Sequence, residues 1–439
     1  MAAKLKIIQR ETIRPSSPTP DNLKILNLSL LDQLLPNTYT PLLLFYPAND
    51  GDDHHIDRHE KLQKLKKSLS DTLTHFYPLA GRLKDHTSID CNDEGAEFIE
   101  ARIEFPLSEF FRNPDTPMLD CLLPAAAESP EAADGNLLIV QATFFDCSGL
   151  AVGICVSHKM TDAATLSTFA QCWSATAHTV LSKTVTPPMF MGSSIFPPID
   201  ISIPHNPIDM KLKNYRSRRF VFTGSKISAL RAKLASETAL EPTRVEAVAA
   251  LLWKTALAAL RSRLGYSRTS IWALMINMRS RLVPPLPKHY AGNCLGYIAP
   301  KMMDEDHCEL ELKDFFRKIR KEMEGFSENY AKKLQGEGAS QKICGSYKEF
   351  GEFGMSNGVD FYVCTSWCRF GLYDTDFGWG RPAWVSTTTG IMSNVIVFMD
   401  TRDGDGIEAR LNLREEEDMA FFESSPEILE FAAVNPSIS

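Results

Sequence analysis

The sequence predicts an α/β fold divided between two domains. The chain has 439 residues, more than a single apolar core usually serves, and two domains of about 200 residues are the simplest division. Segments with helical and with strand periodicity occur in both halves, which favours α/β or α+β over all-α. Six prolines and little periodicity mark residues 183–213, so we expect a linker over 186–214 between domains 1–185 and 215–439.

Apolar spacing in the first half predicts the elements that flank the strongest candidate site. Apolar residues at helical spacing predict a helix over 59–76. Strand-like runs follow at 98–103, 137–145 and 150–156. Helical spacing resumes near Ala163, so residues 157–162 are expected to form a turn between a strand and a helix.

The second half has the same mixture of patterns. Helical spacing covers 225–237 and 244–264, and Thr243 and Glu246 form a capping-box pattern at the start of the second helix. Strand-like runs lie at 271–276, 359–365, 394–399 and 407–413. The last two of these runs are joined by residues 400–406 and predict a hairpin.

Composition and charge exclude several classes of partner. The formal net charge is −8, and no basic run is longer than the helix face 61–67, so we expect neither nucleic-acid binding nor a polybasic membrane patch. No apolar stretch approaches the roughly 20 residues that span a bilayer. Residues 1–10 lack a signal-peptide pattern. The sequence therefore predicts a cytoplasmic protein.

Cysteine and histidine usage gives no sign of a disulfide framework or a metal site. The ten cysteines are scattered without a Cys-x-x-Cys pair, which favours reduced thiols in the cytoplasm. His54, His55 and His59 lie on a polar loop without a cysteine partner, so they are expected to be solvated. We therefore expect no metal.

His158 is the strongest candidate for a chemical role. A histidine on a strand-to-helix turn is accessible to a cleft, and its ordinary pKa of roughly 6.5 suits it to remove a proton near neutral pH. Asp162 follows four residues later and fits two roles, the orienter of His158 or the N-cap of the next helix. A lone His-x-x-x-Asp pattern does not decide between a catalytic and a structural histidine.

Other motifs lack the context that their chemistry needs. Residues 354–358, Gly-Met-Ser-Asn-Gly, match the nucleophile elbow of α/β-hydrolases. That fold needs a histidine after the serine, whereas His307 is the last histidine of this chain. The Gly-x-Gly-x-x-Ala strings at Gly378 and Gly404 do not lie between a strand and a helix, so no dinucleotide site is expected. Trp367 has an indole N–H that needs a partner if buried, or that could be offered to a ligand.

Two motifs taken together resemble those of a known enzyme family. Residues 158–162 and, more than 200 residues later, 376–380 resemble the His-x-x-x-Asp and Asp-Phe-Gly-Trp-Gly signatures of the plant BAHD acyltransferases. Further blocks that resemble the family lie along the whole chain at 15–20, 28–33, 77–82, 276–279 and 292–293. Within the family, the sequence is most similar to the branch that acetylates alkaloid alcohols, and it is similar to triterpenoid acetyltransferases too.

The resemblance implies two chloramphenicol-acetyltransferase-like domains, each a mixed β-sheet with flanking helices, with an active-site channel at their interface. Acetyl-CoA would enter from one face as a co-substrate and a small alcohol from the other, with no permanently bound cofactor. The implied reaction is direct transfer of the acetyl group to a hydroxyl in a ternary complex, by a monomeric enzyme. A thioesterase or hydrolase, or a catalytically silent binding protein on the same fold, is the alternative.

The resemblance also assigns roles to individual residues. His158 is the general base, and Trp367 matches a tryptophan whose indole N–H stabilises the oxyanion. Asp162 points away from the substrate and pairs with Arg279, which makes its role structural.

A second group of residues is implied to support the site and the coenzyme. Asp376, Gly378 and Gly380 belong to a structural loop that shapes the coenzyme channel. Lys254, on the helix capped by Thr243, lies where the family contacts CoA, and we assign both residues to CoA binding. A solvated Lys254 is the alternative.

Two residues depart from the family pattern. Ala163 follows Asp162 where the family usually has glycine, and Ser148 replaces the first glycine of a Cys-Gly-Gly block. We expect both changes to lie near the base and to reshape the acceptor pocket.

Overall fold

The computed structural model describes most of the chain. The described residues are 5–48, 57–114, 116–129, 132, 135–178, 186–200, 215–303, 310–334, 336, 338–356, 358–388 and 393–438. The strands are β1 Leu5–Ile13, β2 Ile25–Asn27, β3 Tyr39–Tyr46, β4 Arg82–Leu83, β5 Ser88–Asp90, β6 Ala96–Ile103, β7 Leu138–Phe145, β8 Leu150–Ser157, β9 Arg216–Phe222, β10 Ser270–Asn277, β11 Leu295–Ile298, β12 Lys301–Met302, β13 Asp360–Ser366, β14 Trp384–Ser386, β15 Val395–Asp400, β16 Ile407–Leu413 and β17 Ala433–Val434. The α-helices are α1 Leu30–Gln33, α2 Arg58–His75, α3 Leu107–Arg112, α4 Thr116–Cys121, α5 Ala163–Thr176, α6 Gly192–Ile195, α7 Gly224–Thr238, α8 Arg244–Leu264, α9 Leu312–Gly325, α10 Ala339–Met355, α11 Glu416–Ser424 and α12 Pro426–Phe431.

The first sheet has the strand order β1-β6-β7-β8-β3-β14 and mixes parallel and antiparallel pairs. Every residue of β3, β7 and β8 is buried, because both faces of the sheet are covered. Side chains of α2 and α5 pack into the apolar cluster on one face, and side chains of α3 and α4 pack on the other. This sheet positions the turn that carries His158, because the turn begins where β8 ends.

The second sheet has the order β11-β10-β13-β15-β16-β9-β17, with parallel pairs between β10, β13 and β15. The long helix α8 packs against α7, α9 and α11 and supplies much of the core of this half. Its start is fixed as predicted, since Thr243 and Glu246 form a capping box. Two mixed sheets with flanking helices confirm the predicted α/β class.

One short strand connects the two halves in a way that the sequence did not predict. β14 comes from the second half of the chain, yet it pairs with β3 at the edge of the first sheet. Within the linker predicted over 186–214, residues 201–214 lie outside the described part. Met189 forms an isolated bridge with Tyr290, so the start of this segment already contacts the second half.

Most of the predicted elements are confirmed within a few residues, while many others have no counterpart among the predictions. The longest unpredicted elements are β1, β3, β9, α9, α10 and α11. Gly354, the first residue of the elbow-like string, lies in α10. No helix among the described residues is both long enough and apolar enough to cross a membrane.

The described part of the chain contains some of the residues considered as metal ligands. In the part of the chain that the structure describes, no three His, Cys, Asp or Glu side chains gather as metal ligands. His54 and His55 lie outside the described residues, and the cysteines that the structure describes are free thiols.

Candidate active site

His158 lies on the turn between β8 and α5, where main-chain bonds fix its backbone. Its N–H donates to the carbonyl of Thr38 at 2.8 Å, and its own carbonyl accepts from Nδ2 of Asn293 at 2.8 Å. The residue is half-buried, and its Nδ1 is buried without a hydrogen-bond partner among the described residues. Burial lowers the pKa of His158 below its ordinary value of 6.5, an effect only partly opposed by the carboxylate of Asp162. The imidazole is therefore neutral at pH 7, as a general base must be.

Asp162 combines an N-cap and an ion pair, and both of its oxygens are engaged. Oδ1 accepts from the N–H of Thr165 at 2.9 Å, which caps α5, and Oδ2 accepts from the N–H of Cys294 at 3.0 Å. The guanidinium of Arg279 binds the same carboxylate with two bonds of 2.7 and 2.9 Å. Burial raises the pKa of Asp162, but Arg279 outweighs it and holds that pKa below its usual range. With these partners, Asp162 is not the orienter of the His158 ring.

Arg279 joins the two halves of the chain at this point. It follows β10 of the second sheet, whereas Asp162 precedes α5 of the first half. Its guanidinium also donates to Oγ1 of Thr165 at 2.9 Å and to the carbonyl of Gly292 at 2.8 Å, and it lies 5.1 Å from the ring centroid of Tyr290. A planar guanidinium saturated in this way fixes the loop before β11 against the turn that carries His158.

Asp32 and Asn293 complete the support of the turn, and sequence reasoning assigned neither a role. Oδ1 of Asp32 accepts from both the backbone N–H and the Nδ2 of Asn293, each at 2.8 Å. The other oxygen of Asp32 closes a capping box with Ser29 at the start of α1. Asn293 is fully buried and bonds the carbonyl of His158, so it links α1, the turn and β11. Their presence in the family-like blocks 28–33 and 292–293 was the signal that could have found them.

We expect Asn293→Ala to lower kcat by about tenfold while changing the KM for acetyl-CoA little. The variant removes the side-chain bonds to His158 and Asp32, and an unpaired buried acceptor costs about 1–3 kcal/mol, enough to let the turn shift. Steady-state kinetics and thermal unfolding check the two effects. Asn329→Ala, at an exposed asparagine, is the control. Unchanged kcat in Asn293→Ala would show that the carbonyl bond does not position His158.

Lys159 is buried beside His158, and its side chain extends to the end of α1. Its Nζ donates to the carbonyl of Gln33 at 2.9 Å, and burial lowers its pKa to about 8, partly opposed by the charge of Asp32. The side chain thus holds the turn against α1.

The loop with the second motif packs into the first half of the chain. Oδ1 of Asp376 accepts from the N–H of Gly378 at 2.7 Å and of Gly380 at 3.0 Å, and both glycines have positive φ, near 100°. Phe377 is buried and stacks on Trp379 with ring centroids 5.5 Å apart. An ideal Cβ on Gly378 would lie 2.3 Å from Nζ of Lys64 on α2. The carboxylate of Asp376 thus orders this loop, which packs against α2.

Trp367 directly follows β13 and packs in the apolar cluster that also contains Met160 of the turn. Its backbone N–H donates to the carbonyl of Phe398 at 2.8 Å. The side chain is 7% exposed, and no hydrogen bond joins its indole N–H to another described residue. The role of this N–H toward the oxyanion stays a prediction.

The two residues assigned to CoA have partners within the protein. Nζ of Lys254 forms an ion pair of 2.8 Å with Glu427 on α12, and both side chains are partly exposed. The hydroxyl of Thr243 accepts from the N–H of Glu246 as the N-cap of α8. Their contact with CoA stays a prediction.

The two departures from the family pattern lie in different places. Ala163 is the first residue of α5, directly after Asp162, as expected. Ser148 lies in the hairpin before β8, so the eight residues of that strand, about 26 Å, separate it from His158. The expectation that Ser148 lies near the base is therefore wrong. Its φ of +60° explains why glycine is the usual residue there.

Comparison with known proteins shows similarity over nearly the full length. A family model described as the Transferase family matches residues 3–429. The chain is 37% identical over 424 residues to stemmadenine O-acetyltransferase of Catharanthus roseus, which covers 95% of this chain and 96% of the relative. It is 35% identical over 459 residues to a limonoid 7-O-acetyltransferase of Citrus sinensis, which covers 98% of each. The crystal structure of vinorine synthase matches with a TM-score of 0.82 at 34% identity over 98% of each chain.

Proposed function

This chain belongs to the BAHD acyltransferases of the Transferase family, and on that premise we propose that it transfers the acetyl group of acetyl-CoA to a hydroxyl of an alkaloid or triterpenoid alcohol. Two relatives named for O-acetyl transfer support the acetyl donor and the hydroxyl acceptor. The observation that carries the proposal is a neutral, half-buried His158 whose backbone is held from both halves of the chain. The family favours a transferase over the hydrolase alternative.

In the proposed reaction, His158 removes the proton of the acceptor hydroxyl while the hydroxyl oxygen attacks the carbonyl carbon of the thioester. The indole N–H of Trp367 donates a hydrogen bond to the oxyanion of the tetrahedral intermediate. Collapse of the intermediate breaks the carbon–sulfur bond, and the departing CoA thiolate takes the proton from the imidazolium of His158. The products are the acetate ester and CoA.

Release of free CoA thiol from acetyl-CoA, measured with and without acceptors, tests the proposal. A panel of alkaloid and triterpenoid alcohols is the acceptor set, and the ester is identified by mass spectrometry. We expect thiol release only when an acceptor is present. Release with water alone indicates a thioesterase, and an acetylated protein after exposure to acetyl-CoA alone contradicts direct transfer in a ternary complex.

The pH dependence of kcat/KM follows from the lowered pKa of His158. Only the neutral imidazole accepts the proton, and its fraction rises with pH, so kcat/KM should rise through one ionisation below pH 6.5 and then level off. The profile is measured with a fixed acceptor at constant ionic strength. A midpoint well above pH 7 contradicts a buried histidine base.

We expect Trp367→Phe to lower kcat by about 10²–10³-fold, because the ring is kept and only the donor to the oxyanion is removed. Trp272→Phe is the matched control, since Trp272 is also buried and its indole N–H has no partner among the described residues. Steady-state kinetics at saturating acetyl-CoA distinguish the two variants. Equal kcat in both would remove Trp367 from the mechanism.

The remaining assignments belong to the same proposal. CoA approaches Thr243 at the start of α8 and Lys254 in its middle. A CoA phosphate would compete with Glu427 for the ammonium group of Lys254. Domains 1–185 and 215–439, joined by 186–214, act as a monomer in the cytoplasm. Light scattering after size exclusion measures the oligomeric state.

A further inference from the structure

A pocket between the halves is lined by neither His158 nor the other residues of the proposed mechanism. Its volume is about 330 Å³, and α4 of the first half and β9 and β16 of the second sheet contribute to its wall. Its lining includes four arginines, Arg216, Arg218, Arg219 and Arg410, and one acid, Asp120. This concentration of positive charge occurs in a chain whose formal net charge is −8.

Arg410 is the arginine of this lining whose charge has no contacting counterion among the described residues. The other three arginines form the ion pairs Arg216–Glu416, Arg218–Glu423 and Arg219–Glu408. Arg410 is 6% exposed and bonds the neutral Oγ of Ser386 at 2.9 Å, and it has no ion pair within the described residues. Burial lowers its pKa to about 10, partly opposed by the charges of Glu408 and Asp120. Burying a guanidinium without a contacting counterion costs free energy unless a ligand supplies the negative charge.

Two further donors in the same wall are unpaired. Arg219 is 3% exposed, and its Nε has no hydrogen-bond partner among the described residues. The buried Oγ of Ser217 has none either. Arg219 lies directly opposite Arg410 in the antiparallel pair of β9 and β16, where like charges destabilise a sheet. A ligand that only accepts hydrogen bonds and carries negative charge would satisfy all three groups.

We propose that this pocket binds a small tetrahedral oxyanion of the phosphate class, at a site separate from the acyl-transfer centre. The planar guanidinium matches two phosphate oxygens at once, and the Ser217 hydroxyl and Arg219 Nε supply donors to the others. The volume is at the low end of ligand pockets, about 300–1,000 Å³. Burial raises the pKa of the Asp120 carboxyl to about 6, so this group is charged at pH 7.5. Its negative charge repels the anion and weakens binding.

Isothermal titration of the full-length protein with inorganic phosphate at pH 7.5, with ionic strength held constant by chloride, tests the site. We expect saturable binding that weakens at least about tenfold in Arg410→Met and several-fold in Ser217→Ala. Arg414→Met, an exposed arginine beyond the end of β16, is the matched control and should bind like the unaltered protein. Absent binding, or equal binding in Arg410→Met and Arg414→Met, overturns the proposal.

A gain-of-affinity variant separates loss of binding from loss of folding. Asp120→Asn removes the opposing charge, so phosphate should bind several-fold more tightly. Unchanged or weaker phosphate binding in Asp120→Asn counts against the pocket. The titration is repeated with saturating CoA. Loss of phosphate binding in the presence of CoA would contradict the claim that the pocket is separate from the coenzyme site. These measurements need no acceptor alcohol, so their outcome does not depend on the proposed acetyl transfer.

Discussion

His158→Ala should lower kcat by about 10²–10⁴-fold, the contribution that a positioned general base makes. The side chain is half-buried, and its Nδ1 has no hydrogen-bond partner among the described residues, so its removal breaks no described bond that holds the fold. The backbone bonds of residue 158 to Thr38 and Asn293 do not need the imidazole. Kinetics with acetyl-CoA and an accepted alcohol measure the effect.

The control for this prediction is another histidine. His86 is exposed on the turn before β5, so His86→Ala should keep full activity. Circular dichroism and the midpoint of thermal unfolding should be the same for both variants. Turnover of His158→Ala near that of the unaltered enzyme would exclude the general-base role, and a large loss of stability would show that the side chain is structural.

Breaking the pair of Asp162 and Arg279 should destabilise the protein more than any other single change considered. Both side chains are buried, so each single variant leaves one charge without its partner, at a cost of about 3–5 kcal/mol. We expect Asp162→Asn and Arg279→Ala each to lower the stability and the kcat, because the turn with His158 is held by this pair. The double variant removes both charges and should lose less than the sum of the single losses.

Denaturant unfolding of the four proteins measures the coupling free energy. A positive coupling of about 1–3 kcal/mol is expected for directly bonded residues. Arg268 and Asp360, which form a bidentate pair at the start of β13, at the opposite end of that strand from Trp367, provide a matched cycle. That cycle should affect stability without a change in kcat. Strict additivity for Asp162 and Arg279 would mean that the pair does not hold the turn.

The elements around the site could be predicted from sequence because their signals are local. The apolar run of β8 and the helical spacing after Ala163 are each continuous in the chain, so the turn between them is determined by neighbours. The N-cap role of Asp162 is local in the same sense, since it involves Thr165 three residues later. The capping box of α8 follows the same rule.

The rest of the site depends on contacts between distant segments, which periodicity cannot reveal. Asp32 and Asn293 are 261 positions apart and meet only because the first and second halves are packed together. The pairing of Asp162 with Arg279 came from the family resemblance and not from spacing. Ser148 was expected near His158 because the two residues are only ten positions apart in the sequence. Those ten residues form an extended strand and a turn, which carry Ser148 far from His158.

The return of β14 to the first sheet has a consequence for synthesis on the ribosome. Until residues 384–386 have been made, β3 is the open edge of a sheet, and its Tyr-Thr-Pro-Leu-Leu-Leu-Phe-Tyr sequence is almost wholly apolar. An apolar edge strand is a template for pairing with another nascent chain. Nearly nine tenths of the polypeptide must be made before β14 can cover this edge. The sheet of the first half is therefore completed only when most of the second half has been translated.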